Sequence, residues 1–171
     1  KQWEKGIEKA TGEYLWIAES DDFADKEFLQ VMISHFEGNP SIGLAYCQSY
    51  VINEEDKVLF KNTKCTEDLD EVRWEYSYTN NGVDECKKYL FFKNTIPNAS
   101  AVLFRKSLVN TLPTSYRLIG DWVFWINLLK KSNIHYEARP MNYFRRTSHS
   151  TRIHDNHEKV SELINMIDVH L

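Results

Sequence analysis

The fold is decided by the stretch Tyr14-Leu15-Trp16-Ile17-Ala18-Glu19-Ser20-Asp21-Asp22, an apolar run followed at once by three carboxylates. A continuous hydrophobic run of this kind is typical of a strand buried inside a mainly parallel sheet. Ligands of open α/β sheets bind beyond the carboxyl ends of such strands, so the carboxylates stand where a ligand is expected. The stretch therefore predicts an α/β domain with a site at the end of this strand.

Three oxygen ligands, from Glu19, Asp21 and Asp22, suit a hard divalent cation such as Mn²⁺ or Mg²⁺. A cation of this kind can hold phosphate oxygens and stabilise a departing diphosphate. The alternative is a simple turn in which Asp21 and Asp22 reverse the chain. The spacing alone leaves both interpretations open.

Composition describes an ordinary globular protein of about one domain. The 171 residues are 42% hydrophobic and 27% charged, with a net charge of −4 that gives no broad attraction for nucleic acid or anionic membranes. Cys47, Cys65 and Cys86 are odd in number and form no CxxC pair, which favours a reduced, cytoplasmic compartment. No apolar run approaches the roughly 20 residues of a membrane span.

The first residues read as the inside of a helix, because Trp3, Ile7 and Ala10 share one helical face. We therefore expect the chain to be the later part of a longer domain. Further on, helices and strands alternate without an internal repeat, which predicts an α/β fold. The periodicities predict helices at 26–37, 83–91, 121–131 and 158–171 and strands at 42–52, 58–60, 99–104 and 134–144.

The polar segment 61–81 lacks periodicity, and we expect it to be a surface excursion whose aromatic residues could equally line a groove. It divides a single, incomplete domain of residues 1–171 into two parts. Residues 1–60 carry the carboxylates, and residues 82–171 carry two further groups that could act in chemistry.

The first of these groups is Asp121, which follows Gly120 at the start of an apolar helix. A carboxylate at a helix N-terminus is commonly a cap that accepts backbone N–H groups. The functional interpretation is a general base at the rim of a cleft, held in position by a rigid helix. Both interpretations remain open on the sequence alone.

The second group is a basic stretch that contains Arg139, Arg145, Arg146, His149 and Arg152. Guanidinium groups bind phosphate through paired hydrogen bonds, so a diphosphate is a natural ligand. The alternative is a solvated basic strand edge that prevents edge pairing. The nearby histidines at 154 and 157 have helical metal-ligand spacing, but without further ligands they indicate an ordinary helix start.

Together these stretches resemble one family of enzymes. Residues 6–22 resemble the segment "G…A.GEYI..LDSDD" of family 2 glycosyltransferases, which have a GT-A fold. Residues 98–106 look like the strand before the acceptor region of that family. Residues 120–125 resemble its "GEDW..W" motif, and residues 143–150 its "YR…S.S" loop. The resemblance covers nearly the whole chain, with 61–81 the least matched, and implies a partial, Rossmann-like GT-A domain with a mixed, mainly parallel sheet flanked by helices.

The resemblance also implies roles for individual residues. Asp22, with Glu19, would coordinate Mn²⁺ or Mg²⁺, and Asp21 would contact the donor ribose or the metal shell. Asp121 would be the catalytic base. His149, with Arg145 or Arg146, would face the diphosphate.

Two positions depart from the family pattern. Glu19 replaces an Asp, and Gly120 stands where Glu is frequent. The family's opening strands, which hold the nucleotide base, have no counterpart here, so the resemblance implies a portion without a complete donor site.

By the resemblance, the reaction is an inverting transfer of a sugar from a nucleotide-sugar donor, foremost a UDP-sugar, to a glycan or lipid-linked acceptor. It implies a cytoplasmic protein at the inner face of a membrane, active in cell-surface glycan synthesis. The net charge of −4 separately predicts no nucleic-acid partner. One rival is a haloacid-dehalogenase-like phosphatase, which is weakened because Glu19 would replace its nucleophilic Asp. The other rival is a non-catalytic sugar- or partner-binding domain on the same scaffold.

Overall fold

The computed structural model describes residues 2–96, 98–146 and 156–170. In these ranges the chain forms a seven-stranded mixed sheet with helices packed on both faces. The helices are α1 (Gln2–Lys9), α2 (Phe28–Gly38), α3 (Gly82–Glu85), α4 (Gly120–Leu129) and α5 (Asn156–His170). The strands are β1 (Tyr14–Trp16), β2 (Phe23–Ala24), β3 (Ile42–Ile52), β4 (Val58–Lys61), β5 (Tyr78–Asn80), β6 (Val102–Arg105) and β7 (Asn133–Arg145). A π-helical stretch, Cys86–Leu90, continues α3.

The main sheet has the order β1–β6–β3–β7–β2, and β4 and β5 pair with β3 and β7 beside this path. The predicted α/β class and the mixed sheet are confirmed. The expectation that the sheet is mainly parallel is wrong for the described residues, because only the β3–β7 pair is parallel among six strand pairings. The two long strands of that pair form the centre, and short antiparallel strands surround them.

The apolar run in β1 has a cause other than strand direction. Leu15 packs into the core on one face of the sheet, whereas Tyr14 and Trp16 pack against the core beneath α2 on the other face. A strand covered on both faces is apolar throughout, whichever way its neighbours run. The apolar run therefore indicates that both faces of β1 are buried, and it does not indicate that the neighbouring strand is parallel.

The predicted helices and strands occur with shifts of a few residues at their ends. The largest shift concerns the predicted strand 99–104, whose first three residues form a 3₁₀ turn instead. The turn forms because the Asn98 side chain accepts a hydrogen bond of 3.0 Å from the Ser100 amide. This turn faces the carboxylate cluster.

The segment 61–81 is not a simple surface excursion. Trp74 is buried in the core, and its Nε1 donates a 2.8 Å hydrogen bond to the Tyr46 hydroxyl. Strand β5 at the end of the segment pairs with β7. The buried Trp74 and the short strand β5 therefore help to attach this polar segment to the sheet.

A tight hairpin joins β3 to β4 and later contributes to the site. Asn53 Oδ1 accepts hydrogen bonds from the amides of Glu55 and Lys57, at 3.0 and 2.9 Å. Asp56 adopts the left-handed conformation with φ of 63°, which Asp tolerates better than most residues. The hairpin brings Asn53 and Asp56 beside the end of β7.

Candidate active site

The three predicted metal-binding carboxylates form one cluster. Glu19, Asp21 and Asp22 each place a carboxylate oxygen within 4.8 Å of the others. A turn shapes this cluster, since the Asp22 amide donates to the Glu19 carbonyl at 3.2 Å. The Ser100 hydroxyl accepts a 3.0 Å hydrogen bond from the Glu19 amide and anchors the turn, which we call the acid turn (residues 19–22).

Asp22 is the least exposed member of the acid turn. Its Oδ1 accepts a 2.9 Å hydrogen bond from the Arg145 amide. Its Oδ2 is enclosed and has no hydrogen-bond partner among the described residues. Burial raises the pKa of Asp22, and the Arg145 amide and the neighbouring Ser100 and Asn98 side chains only partly offset it. An enclosed carboxylate oxygen without a partner, beside two exposed carboxylates, fits the oxygen ligand set of Mn²⁺ or Mg²⁺.

Arg145 lies against the acid turn, but its guanidinium binds protein groups. Its Nε donates to the Asp21 carbonyl at 2.8 Å, and its Nη1 donates to the Asn53 carbonyl at 2.7 Å. Its Nη2 forms a 2.5 Å ion pair with Asp56. Arg145 therefore ties the acid turn to the β3–β4 hairpin, and its predicted contact with a diphosphate stays a prediction.

The other two predicted anion-binding residues are placed differently. Arg146 is exposed, and its guanidinium lies 5.5 Å from the centre of the Phe60 ring. Its contact with a diphosphate also stays a prediction. His149 lies outside the described residues.

Asp121, the predicted base, lies in the first turn of α4 and is partly exposed. Its Oδ1 accepts a 2.7 Å hydrogen bond from the Trp122 amide, and Asn94 Nδ2 approaches its Oδ2 at 3.4 Å. The carboxylate thus accepts a hydrogen bond from an amide of the first helical turn without being the N-cap residue, which is Ile119, and it is partly exposed to solvent. The two interpretations of Asp121, as an acceptor of helix amides and as a base, are compatible.

A single cleft joins Asp121 to the acid turn. Its volume is about 510 Å³, and its walls include Glu19, Asn98, Asp121 and Phe144. A cleft of this size accommodates a small organic group such as a sugar. Two motifs that are far apart in the sequence, the acid turn and the start of α4, therefore line the same cleft.

Glu162 of α5 holds one wall of this cleft. Its carboxylate accepts hydrogen bonds from the amides of Arg117, Leu118 and Ile119, at 2.7, 3.0 and 3.1 Å. These amides lead directly into α4, so Glu162 fixes the approach to Asp121. No local pattern distinguishes Glu162 from other polar helix residues, and its role was not predicted.

A buried polar group under the acid turn was also missed. Asn142 Oδ1 accepts hydrogen bonds from Asn98 Nδ2 at 2.7 Å and from the Ser49 hydroxyl at 3.0 Å. Asn98 and Asn142 are almost fully buried. Buried amides need complete hydrogen bonding, so this group keeps Asn98 and Ser100 in position beside Asp22. The sequence signal for this group is the presence of Asn and Ser within apolar segments, which indicates buried polar side chains that need hydrogen-bond partners.

Comparison with known proteins agrees with the fold. The sequence model of the family described as "Glycosyl transferase family 2" matches residues 1–112. An uncharacterized glycosyltransferase, MJ1057 of Methanocaldococcus jannaschii, is 27% identical over 129 residues, which cover 73% of this chain and 39% of that protein. The crystal structure of S. aureus TarS 1-349 matches with a TM-score of 0.58 and 11% identity, over 82% of this chain and 38% of that one.

The fold and the cleft define an α/β glycosyltransferase domain of the GT-A type. Because the family match covers more than half of its residues, the chain belongs to glycosyl transferase family 2. It spans about two fifths of the length of the relatives described above. Within the described residues, no helix combines the length and hydropathy needed to cross a bilayer.

Proposed function

We propose that this domain transfers a sugar from a nucleotide-sugar donor to an acceptor hydroxyl, with inversion at the anomeric carbon. The observation that carries the proposal is the shared cleft, which has Glu19 of the acid turn and Asp121 in its walls. A donor held at the acid turn would present its anomeric carbon toward Asp121. The family membership supports sugar transfer in general, and the finer assignments below are our own.

We assign Asp22, with Glu19, to hold Mn²⁺ or Mg²⁺, and Asp21 to contact the donor ribose or the metal shell. The enclosed, unpartnered Oδ2 of Asp22 supports this assignment. When bound, the cation would neutralise charge on the departing diphosphate. Asn98 and Ser100 position Asp22, and Arg145 positions the acid turn.

Asp121 is the residue we assign as the general base. It takes the proton of the acceptor hydroxyl as that oxygen attacks the anomeric carbon and the sugar–phosphate bond breaks. Its partly exposed carboxylate at the start of a rigid helix supports this role. Positive charge near the leaving diphosphate would come from Arg146 and His149, with Arg145 contributing charge from behind the acid turn.

The donor we propose is a UDP-sugar, and the acceptor a glycan or a lipid-linked glycan. Such an enzyme would function in the synthesis of a cell-surface glycan and would be located in the cytoplasm beside the membrane. The net charge of −4 gives no support for a nucleic-acid partner.

The test is turnover of UDP-sugars with Mn²⁺ by a polypeptide that extends to the full length of its relatives. Wild type and Asp121→Asn are compared. Asn127→Asp, on the same helix but outside the walls of the cleft, is the control. Loss of one general base is expected to lower kcat by about 10² to 10⁴-fold with little change in donor affinity.

An Asp121→Asn variant with normal kcat would contradict the base assignment. Binding of UDP without any turnover of UDP-sugars by the wild type would instead favour the non-catalytic, sugar-binding alternative.

A further inference from the structure

A second group of potential metal ligands lies far from the acid turn. His35, in α2, lies over His135 and Glu137 of β7. These two β7 residues are two positions apart on one strand and therefore face the same side of the sheet. Ten strand residues, roughly 30 Å, separate His135 from Arg145 at the acid turn.

We propose that His35, His135 and Glu137 form a binding site for a Zn²⁺ ion that ties α2 to β7. Each residue offers one ligand atom, and the three atoms lie within 4.8 Å of one another. His35 Nε2 and Glu137 Oε2 are 3.3 Å apart, close to the separation of about 3.4 Å between two ligands of a tetrahedral zinc ion. Because an imidazole lone pair lies in the plane of its ring, the stacked rings would turn toward a common ion when it binds.

The two imidazole rings support this assignment. They are stacked with their centres 3.8 Å apart. His135 Nε2 is enclosed without a hydrogen-bond partner among the described residues, and the enclosed Nε2 of His35 makes no hydrogen bond there beyond its 3.3 Å approach to Glu137 Oε2. Two such nitrogens beside each other are costly unless something binds them. A shared cation satisfies both.

Neighbouring residues orient the ligands as a metal site requires. Thr79 Oγ1 lies 2.8 Å from His135 Nδ1, and donation from Nδ1–H to Thr79 leaves the Nε2 lone pair available to the metal. Glu137 Oε1 accepts hydrogen bonds from the Arg139 amide at 2.9 Å and the Ser77 hydroxyl at 3.3 Å. Its other oxygen therefore points to the histidines.

The chemistry of the ligands selects the metal. Two imidazoles and one carboxylate are typical of Zn²⁺, whereas Mg²⁺ and Mn²⁺ favour sites built from oxygen, such as the acid turn. The side chains of His35 and Glu137 are 23% and 16% exposed, which gives an ion access and leaves space for a water ligand.

The alternative is an ordinary ion pair between a protonated His35 and Glu137. The 3.3 Å contact permits it. It would, however, leave His135 Nε2 enclosed and unpartnered, directly against a charged ring. The two interpretations differ in whether zinc binds.

The experiment measures Zn²⁺ binding to this chain by competition with a chromophoric chelator. Asp22→Ala serves as the background, so that the acid turn does not contribute. We expect one Zn²⁺ per chain, and at least tenfold weaker binding after His35→Gln or His135→Gln. The matched control is His157→Gln on the exposed side of α5, which should bind Zn²⁺ as the background does.

Thr79→Val is a second test that should not disturb folding, because Thr79 is exposed on a strand where Val is well tolerated. Loss of this hydrogen-bond partner should weaken Zn²⁺ binding by about 10 to 100-fold. Cobalt substitution should give visible absorption bands of a tetrahedral ion, absent in His135→Gln. Equal Zn²⁺ affinity in all variants, or no binding by the background protein, would overturn the proposal.

Discussion

The backbone amide of Arg145 donates a 2.9 Å hydrogen bond to Oδ1 of Asp22, which joins the last residue of β7 to the acid turn. Asp22 is thereby oriented by a central strand of the sheet and not by its own loop alone. The Arg145 side chain strengthens this connection through Asp21, Asn53 and Asp56. Metal-binding geometry at the acid turn should therefore depend on a residue that need not touch the metal.

Arg145→Met should weaken both the fold and the metal site. It removes three hydrogen bonds that the guanidinium donates, one of them within an ion pair, and we expect the free energy of unfolding to fall by about 2 kcal/mol. Mn²⁺ affinity should fall as the acid turn loosens. Urea denaturation and Mn²⁺ titration measure the two effects.

Arg146→Met is the matched control for this prediction. Arg146 is exposed, and within the described ranges its side chain has only a ring contact to Phe60, so its loss should change stability by less than about 1 kcal/mol. Equal behaviour of the two variants would show that the Arg145 contacts do not support the site.

Glu162→Ala should loosen the wall of the cleft beside Asp121. Three backbone amides lose a charged acceptor, which should cost about 1–3 kcal/mol of stability. Hydrogen exchange at the amides of Arg117, Leu118 and Ile119 should accelerate more than exchange within β3. In a full-length enzyme, the acceptor KM should rise more than the donor KM.

Glu158→Ala, on the same helix, serves as its control. Glu158 forms an exposed pair with Arg117 at 3.6 Å, and such surface pairs contribute about 0–1 kcal/mol. Unchanged amide exchange in Glu162→Ala would refute the role of Glu162.

Alkylation of the native protein should modify Cys65 before the other two cysteines. Cys47 and Cys86 are buried, and burial raises the pKa of each thiol to about 12, so little thiolate forms near pH 8. Cys65 is partly exposed. Mass spectrometry after a short iodoacetamide pulse gives the order of modification. Early labelling of Cys47 would contradict its burial in β3 beneath α2.

The sequence was sufficient to predict the long elements of the fold. β3, β7, α2 and α4 carry enough apolar residues for their periods to be recognised. β2 and β5 have two and three residues, too few for any period, and they form only because β7 offers them a partner. The direction of the strands could not be predicted either, because an apolar run indicates that a strand is buried and not whether its neighbours are parallel or antiparallel.

The candidate site was predictable where its residues adjoin in sequence. Glu19, Asp21 and Asp22 follow one strand, so the chain itself brings them together. Glu162 meets the Ile119 amide across 43 residues, and His35 meets His135 across 100, through packing that no local pattern encodes. Arg145 was recognised as a basic residue, but its protein partners became visible only in the fold.

We propose above all that the acid turn binds a divalent cation together with a nucleoside diphosphate. Calorimetric titration of this chain with UDP, with and without Mn²⁺, tests it most directly, with Asp22→Ala as the comparison. We predict binding of UDP that requires Mn²⁺ and is lost in Asp22→Ala while the variant keeps its thermal stability. UDP binding by this chain that is equally strong without Mn²⁺, or equally strong after Asp22→Ala, would contradict the assignment of the acid turn.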